Sequence, residues 1–112
     1  MEAQPRDVQI YQTEDEQEPF QEWVEDLKDK EGVAAIDAKI AKVRKGNLGD
    51  CVSVGEGVSE FRVDCGPGYR VYFGRVGHKI VILLCAGDKS TQDADIKKAK
   101  AYWKDFKERN KS

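Results

Sequence analysis

The amino-acid sequence predicts a single α+β domain: an antiparallel sheet of about four to five strands, with a pair of N-terminal helices and one C-terminal helix packed on one side of it. Apolar residues recur at helical spacing near both ends of the chain and at alternate positions between Cys51 and Cys85. A length of 112 residues suits one compact core. We therefore expect one domain over residues 1–112, with residues 1–7 as a mobile terminus.

The first strand and the first helix are predicted from the segment that follows this terminus. In VQIYQT, the apolar Val8 and Ile10 alternate with polar neighbours, which indicates a strand. After the acidic turn EDEQE, Pro19 suits the first position of a helix. The apolar positions of that helix are Phe20, Trp23, Val24 and Leu27.

A second helix is predicted after a break at KEG. Its apolar positions are Ile36, Ile40 and Val43, and it ends at Gly46-Asn47, where a left-handed residue is favoured. Two consecutive helices with a short joint predict a helical hairpin.

The middle of the chain predicts an antiparallel meander. Its β-rich segments are CVSV, SEFRVDC, YRVYF and KIVILLC, separated by GEG, CGPG and RVGH. The last of them, Ile80–Cys85, is apolar at every position and is therefore expected in the interior of the sheet. The loop GDKSTQD offers an S-x-x-D helix start, and Ile96, Ala99, Trp103 and Phe106 then predict a C-terminal helix docked through its Trp103 face.

Composition restricts the class of protein. Hydrophobic residues make up 39% and charged residues 36%, which favours a soluble globular domain over a membrane protein or a disordered chain. No segment resembles a signal peptide, so a cytoplasmic location is expected. The three cysteines lack C-x-x-C spacing and the chain has one histidine, so we expect reduced thiols, no metal site and no cofactor.

Charge is distributed unevenly along the chain. The net charge is −2, yet 12 of the 21 acidic residues lie in the first 40 positions and 15 of the 19 basic residues lie after them. The two parts of the chain should therefore present opposite electrostatic surfaces.

The segment SEFRVDCGPGYRVYF predicts a hairpin with a polar face. A three-residue loop at Gly66-Pro67-Gly68 would pair Cys65 with Tyr69, Asp64 with Arg70 and Arg62 with Tyr72. The residues expected on the polar face are Glu60, Arg62, Asp64, Arg70 and Tyr72. Two interpretations are open: a solvated face with cross-strand ion pairs, or an anion site in which guanidinium groups bind phosphate and a phenol stacks on a base.

This hairpin and the later block LLCAGDKSTQDADI resemble the RelE/ParE superfamily of toxins from bacterial type II toxin–antitoxin modules, in the HigB-like branch called addiction module killer proteins. The resemblance covers about Val8 to Phe106. It implies a RelE-like fold with a twisted antiparallel sheet. It also implies metal-independent cleavage of messenger RNA on the ribosome. The implied partners are a cognate helix-turn-helix antitoxin, the ribosome and mRNA, with operator DNA reached only through the antitoxin and no membrane.

The resemblance also implies site residues. Arg62, Arg70 and Lys89 coincide with the basic residues of RelE-type ribonucleases, where they would stabilise charge on the scissile phosphate. Glu60 and Tyr72 are the candidates for proton transfer, with Lys89 as a possible donor to the leaving group. The residues expected to bind RNA are Arg62, Arg70, Tyr72, Lys89 and Lys97.

One departure from the family pattern leaves the function open. Relatives often carry a Tyr or His near the C-terminus, where this chain reads TQDADIKK. A non-enzymatic inhibitor of DNA gyrase in the manner of ParE, or a degenerate module that binds only its antitoxin, are therefore alternatives. His78 lies in a predicted turn and is interpreted as a surface residue, whereas Trp23, Trp103 and Phe106 are interpreted as core residues.

Overall fold

The structure, a computed structural model, describes residues 5–111 and has the α+β class that the sequence predicts. Its elements in chain order are β1 (Asp7–Ile10), α1 (Pro19–Asp26), α2 (Lys30–Arg44), β2 (Cys51–Gly55), β3 (Val58–Val63), β4 (Tyr69–Val76), β5 (Ile80–Asp88), a short 3₁₀ turn (Lys89–Thr91) and α3 (Gln92–Arg109). Of the predicted mobile terminus, residues 1–4 lie outside the described residues, and Asp7 already begins β1.

The five strands form one mixed sheet in the order β1-β5-β4-β3-β2. Strands β2 to β5 are antiparallel neighbours, as predicted, but β1 pairs with β5 in parallel, so the prediction of a wholly antiparallel sheet is wrong at this edge. Parallel neighbours need a long connection, and here both helices and the meander separate β1 from β5 in the chain. Strand β5 lies between β1 and β4, which confirms its interior position.

Helices cover both faces of the sheet, so the prediction of a single covered face is wrong. Helices α1 and α2 pack on the face that carries Phe61 and Phe73, whereas α3 packs through Trp103 on the face that carries Tyr72. The physical reason is that β4 and β5 carry large buried side chains on both faces, and each face needs a cover. Since α1 packs on β5 and α2 on β1 and β3, the predicted helical hairpin is not confirmed.

Local signals explain most helix boundaries. The Asp29 side chain accepts a hydrogen bond from the Gly32 backbone N–H at 3.1 Å, so α2 begins at Lys30 and the segment KEG lies inside the helix rather than breaking it. Gly46 has a φ of 98° just beyond α2, as its predicted C-terminal role requires. Asp88, rather than the predicted S-x-x-D, caps the turn before α3 by accepting a hydrogen bond from the Ser90 N–H. Within residues 5–111, no helix combines the length and the apolar character needed to cross a membrane.

Candidate functional site

The β3–β4 hairpin has a different register from the predicted one. Arg62 lies opposite Arg70, Glu60 lies opposite Tyr72, and Val63–Tyr69 is the last pair. The predicted three-residue loop and its pairs are therefore wrong by two positions. Gly66 and Gly68 adopt left-handed backbone conformations, with φ of 54° and 81°, in a loop of five residues. A shift of two residues preserves the alternation of side chains, so the polar face keeps its predicted members along the two strands.

The three predicted cations, Arg62, Arg70 and Lys89, line one groove of about 320 Å³. The arginines come from facing positions of β3 and β4, and Lys89 comes from the turn that follows β5. The remaining lining residues are Val63, Asp64, Gly66, Pro67, Gly68 and Tyr69. Pairing of Arg70 with Gly87 in β5 brings the end of β5 alongside the hairpin, which is why Lys89 reaches the same groove.

A buried carboxylate lies beneath the two arginines. Glu60 is 1% exposed, and its oxygens lie 3.4 Å from Arg62 Nη2 and 3.2 Å from Arg70 Nε. The Arg70 N–H is not aligned with the carboxylate oxygen, so this contact is an ion pair rather than a directional hydrogen bond. The Arg62 side chain is 53% exposed and that of Arg70 is 12% exposed. Glu60 therefore holds two guanidinium groups together at the groove.

Gln92, a residue that sequence reasoning missed, also contacts this carboxylate. Its Nε2 atom lies 3.4 Å and 3.5 Å from the two oxygens of Glu60. Gln92 is the first residue of α3, on the helix that covers this face of the sheet. Nothing in the sequence marks it, because the contact depends on how α3 packs against β3.

Tyr72 does not have the accessible position that was predicted for it. Its side chain is 0% exposed, and among residues 5–111 its hydroxyl has no hydrogen-bond partner. Burial, together with the nearby Glu60 charge, raises the pKa of this phenol far above its ordinary value. Tyr72 therefore cannot stack on a base or bind RNA as predicted. The part of this face around Glu60 and Tyr72 is therefore not solvated, whereas Arg62 and Asp64 near the loop are exposed.

Burial also decides which groups could exchange protons with a bound molecule. Glu60 is inaccessible and already paired, so it fits a positioning role better than the predicted proton transfer. The exposed proton-carrying side chains of the groove are Asp64 and Lys89. Asp64 was predicted on the polar face but not as a catalytic group. A groove with three cations and one accessible carboxylate can hold a phosphodiester and accept a proton beside it.

Other predicted residues lie elsewhere. Lys97 is exposed on α3 and does not line the groove. His78 is exposed in the turn between β4 and β5, at the opposite end of β4 from Arg70. Burial raises the pKa of the Cys85 thiol to about 12, so this thiol is an inert core group.

Comparison with known proteins identifies a relative but no function. No protein-family model matches the chain. A protein of Haemophilus influenzae, described only as an uncharacterized protein, is 51% identical over 81 residues, which cover 72% of this chain and 82% of that protein. The chain belongs to the same family as this protein.

Proposed function

The present chain and the Haemophilus influenzae protein belong to one family. We propose that the present chain is the toxin of a type II toxin–antitoxin system, with a RelE-like fold of the HigB-like branch. Its activity is metal-independent endoribonuclease cleavage of mRNA on the ribosome, which inhibits translation. One observation supports this proposal above the others: Arg62, Arg70 and Lys89, from three separate segments, line one groove over a buried carboxylate. Such a groove suits a phosphate that must carry additional negative charge.

The proposed reaction uses only side chains and the RNA itself. The ribose 2′-hydroxyl attacks the adjacent phosphorus, a bond from phosphorus to O2′ forms, and the bond to O5′ breaks. The products are a 2′,3′-cyclic phosphate and a 5′-hydroxyl. Arg62 and Arg70 stabilise the pentacoordinate phosphorus, Asp64 accepts the 2′-hydroxyl proton, and Lys89 donates a proton to the leaving oxygen.

The proposal includes a partner and a location. The toxin acts in the cytoplasm on ribosome-bound mRNA and needs no cofactor. A cognate helix-turn-helix antitoxin neutralises it by covering the groove or the adjacent helix surface, and operator DNA is contacted only through that antitoxin. The affinity of this complex comes from buried apolar area, while charge pairs set its orientation and association rate. A complex whose association rate does not change between low and high salt would contradict the electrostatic part of this proposal.

Lys89→Ala tests the enzymatic proposal without disturbing the core, because Lys89 is exposed. Purified protein, ribosomes and a reporter mRNA are incubated, and the 5′ ends of the fragments are mapped. We expect cleavage by the unaltered protein and about a hundredfold slower cleavage by Lys89→Ala. Lys79→Ala, an exposed lysine at the other end of β4, is the control and should cleave normally. Intact mRNA after incubation with the unaltered protein would reject the proposal.

A second candidate is the non-enzymatic inhibition of DNA gyrase in the manner of ParE. The burial of Glu60 and Tyr72 favours it, because an inhibitor needs no accessible group for proton transfer. A supercoiling assay separates the two candidates, since unaltered supercoiling at micromolar protein excludes the inhibitor. Harmless overexpression without a partner would instead support a module that only binds its antitoxin.

A further inference from the structure

We propose that Gln92 is a positioning residue that holds the Glu60 carboxylate, and through it Arg62 and Arg70, in the arrangement that binds phosphate. The catalytic consequence of this inference rests on the proposed function, whereas the positioning itself does not. The Gln92 amide nitrogen lies 3.4 Å and 3.5 Å from the two carboxylate oxygens. Because Nε2 is nearly equidistant from them, it limits rotation of the carboxylate, and each oxygen is also contacted by one arginine.

The first turn of α3 is itself fixed against the strand that pairs with Arg70. The Asp95 carboxylate accepts a hydrogen bond from the Thr91 hydroxyl and lies against the backbone of Gly87. A Cβ atom at Gly87 would clash with Asp95 Oδ2, so the close approach of this carboxylate favours glycine. Gly87 is the β5 partner of Arg70. The start of α3, and therefore Gln92, is thus held in place against β5, the strand that pairs with the strand of Arg70.

An amide is chemically suited to this position. Glu60 is buried and has more acceptor positions than the two arginines fill, and a buried acceptor without a donor is unfavourable. A lysine or arginine would supply a donor but would add a third positive charge that competes for the carboxylate. The neutral glutamine donates while leaving Glu60 fully engaged with Arg62 and Arg70. An excess of one positive charge in this cluster then remains available to attract an anion.

The experiment compares Gln92→Leu with Gln21→Leu, a matched change at another half-buried glutamine, which donates a hydrogen bond to Glu25 on α1. The first readout is the ¹⁵N–¹H spectrum of the arginine side-chain Nε–H groups, which reports the order of the guanidinium groups without any substrate. The second readout is kcat and KM for cleavage of ribosome-bound mRNA. Gln92→Met provides a second uncharged variant, and thermal melts identify any variant that does not fold.

We expect both Gln92 variants to shift and broaden the Arg70 Nε–H signal and to lower kcat about tenfold, with KM within about twofold of the original. In a Glu60→Gln background, Gln92→Leu should have no further effect, because Gln92 acts through that carboxylate. An unchanged arginine spectrum in folded Gln92→Leu and Gln92→Met, or fully additive effects with Glu60→Gln, would overturn the inference. If the unaltered protein cleaves no RNA, the proposed function fails, but the arginine spectrum still decides the positioning role.

Discussion

The two faces of the β3–β4 hairpin differ in chemistry and in exposure, because the face with Phe61 and Phe73 is buried along its length whereas Arg62 on the other face is half exposed. On one face, the rings of Phe61 and Phe73 are stacked with centroids 4.0 Å apart, and both side chains are fully buried beneath α1 and α2. On the other face, their chain neighbours Glu60 and Tyr72 are just as buried beneath α3, yet they bring a carboxylate and an unpaired hydroxyl. The same pair of strands thus buries hydrocarbon on one side and polar groups on the other.

This difference teaches which face serves the fold and which serves the site. Burial of apolar area stabilises the folded state directly, whereas a buried ion pair contributes little net stability because its charges lose their hydration. Within this hairpin, the face that carries Phe61 and Phe73 therefore contributes most to stability, in addition to the apolar cluster that Val58 forms with Trp103 of α3. The polar face is understood as a support that fixes two guanidinium groups, one of them half exposed, at the edge of a groove. Substitutions on the two faces should consequently separate stability from activity.

The largest expected effect is a loss of stability on the apolar face. Phe61→Ala removes a fully buried ring from the stack with Phe73 and leaves a cavity, which should lower the free energy of unfolding by about 3–5 kcal/mol. Urea denaturation measures this change. Val52→Ala, at an exposed position of the edge strand β2, is the control and should change stability by less than about 0.5 kcal/mol. If Phe61→Ala lowers the free energy of unfolding by less than about 1 kcal/mol, the inference that this face stabilises the fold would be contradicted.

Glu60→Ala should have the next largest effect. It leaves Arg70, whose side chain is 12% exposed, without its partner carboxylate. We expect the free energy of unfolding to fall by roughly 3 kcal/mol, at the lower end for a broken buried pair because Arg62 remains half exposed to water. Activity should fall as well, since both guanidinium groups lose their support. Normal stability and normal activity together would show that Glu60 supports neither.

Arg70→Ala should affect activity more than stability. Loss of a phosphate-stabilising cation should slow cleavage about hundredfold. A moderate loss of stability is expected as well, because the Arg70 side chain is mostly buried against Glu60. Arg75→Ala, at an exposed position of the same strand, is the matched control for both measurements. Full toxicity of Arg70→Ala would contradict the phosphate-site assignment.

The alternation of side chains explains what could be predicted from the sequence. Period-two spacing assigned Phe61 and Arg62 to opposite faces even though the predicted register was wrong, because a shift of two residues leaves every face unchanged. The predicted loop length was wrong because the sequence Gly-Pro-Gly is compatible with hairpin loops of more than one length. Periodicity likewise located the helices but not the face of the sheet that α3 would cover.

Features that depend on distant packing were missed for that reason. The burial of Tyr72 and the contact of Gln92 with Glu60 both follow from the docking of α3, which joins residues 32 positions apart. The parallel pairing of β1 with β5 is similarly non-local. Local sequence patterns carry no information about such contacts, so the residues of the polar face and Lys89 could be named in advance, whereas the contact of Gln92 could not.

The smallest expected changes in stability come from substitutions of two tyrosines, one on each face. Their comparison tests how much a buried hydroxyl contributes when it has a hydrogen-bond partner and when it has none. On the apolar face, the Tyr69 hydroxyl donates a hydrogen bond to Asp29 Oδ2 at 2.7 Å, whereas the Tyr72 hydroxyl has no partner in residues 5–111. Tyr69→Phe should therefore destabilise the protein at neutral pH. Tyr72→Phe should be neutral or slightly stabilising, because it removes an unsatisfied buried group. Equal losses for both variants in urea denaturation would contradict this contrast.

The pH dependence of the Tyr69 bond sharpens the same comparison. The hydrogen bond from Tyr69 holds the pKa of Asp29 below its ordinary value of 3.8, so this contribution to stability is present above that value and is lost as the pH falls through the lowered pKa. The same bond, together with burial, raises the pKa of Tyr69 from 10.0 to about 12, so the contribution is complete below pH 10 and is lost between pH 10 and about 12.

The stability difference between the unaltered protein and Tyr69→Phe should thus be constant near neutrality and shrink at both extremes. Tyr72→Phe should leave the dependence of stability on pH unchanged on the acidic side, because within the described residues no carboxylate accepts a hydrogen bond from the Tyr72 hydroxyl. A difference for Tyr69→Phe that stays constant down to acid unfolding would show that the bond to Asp29 does not stabilise the fold.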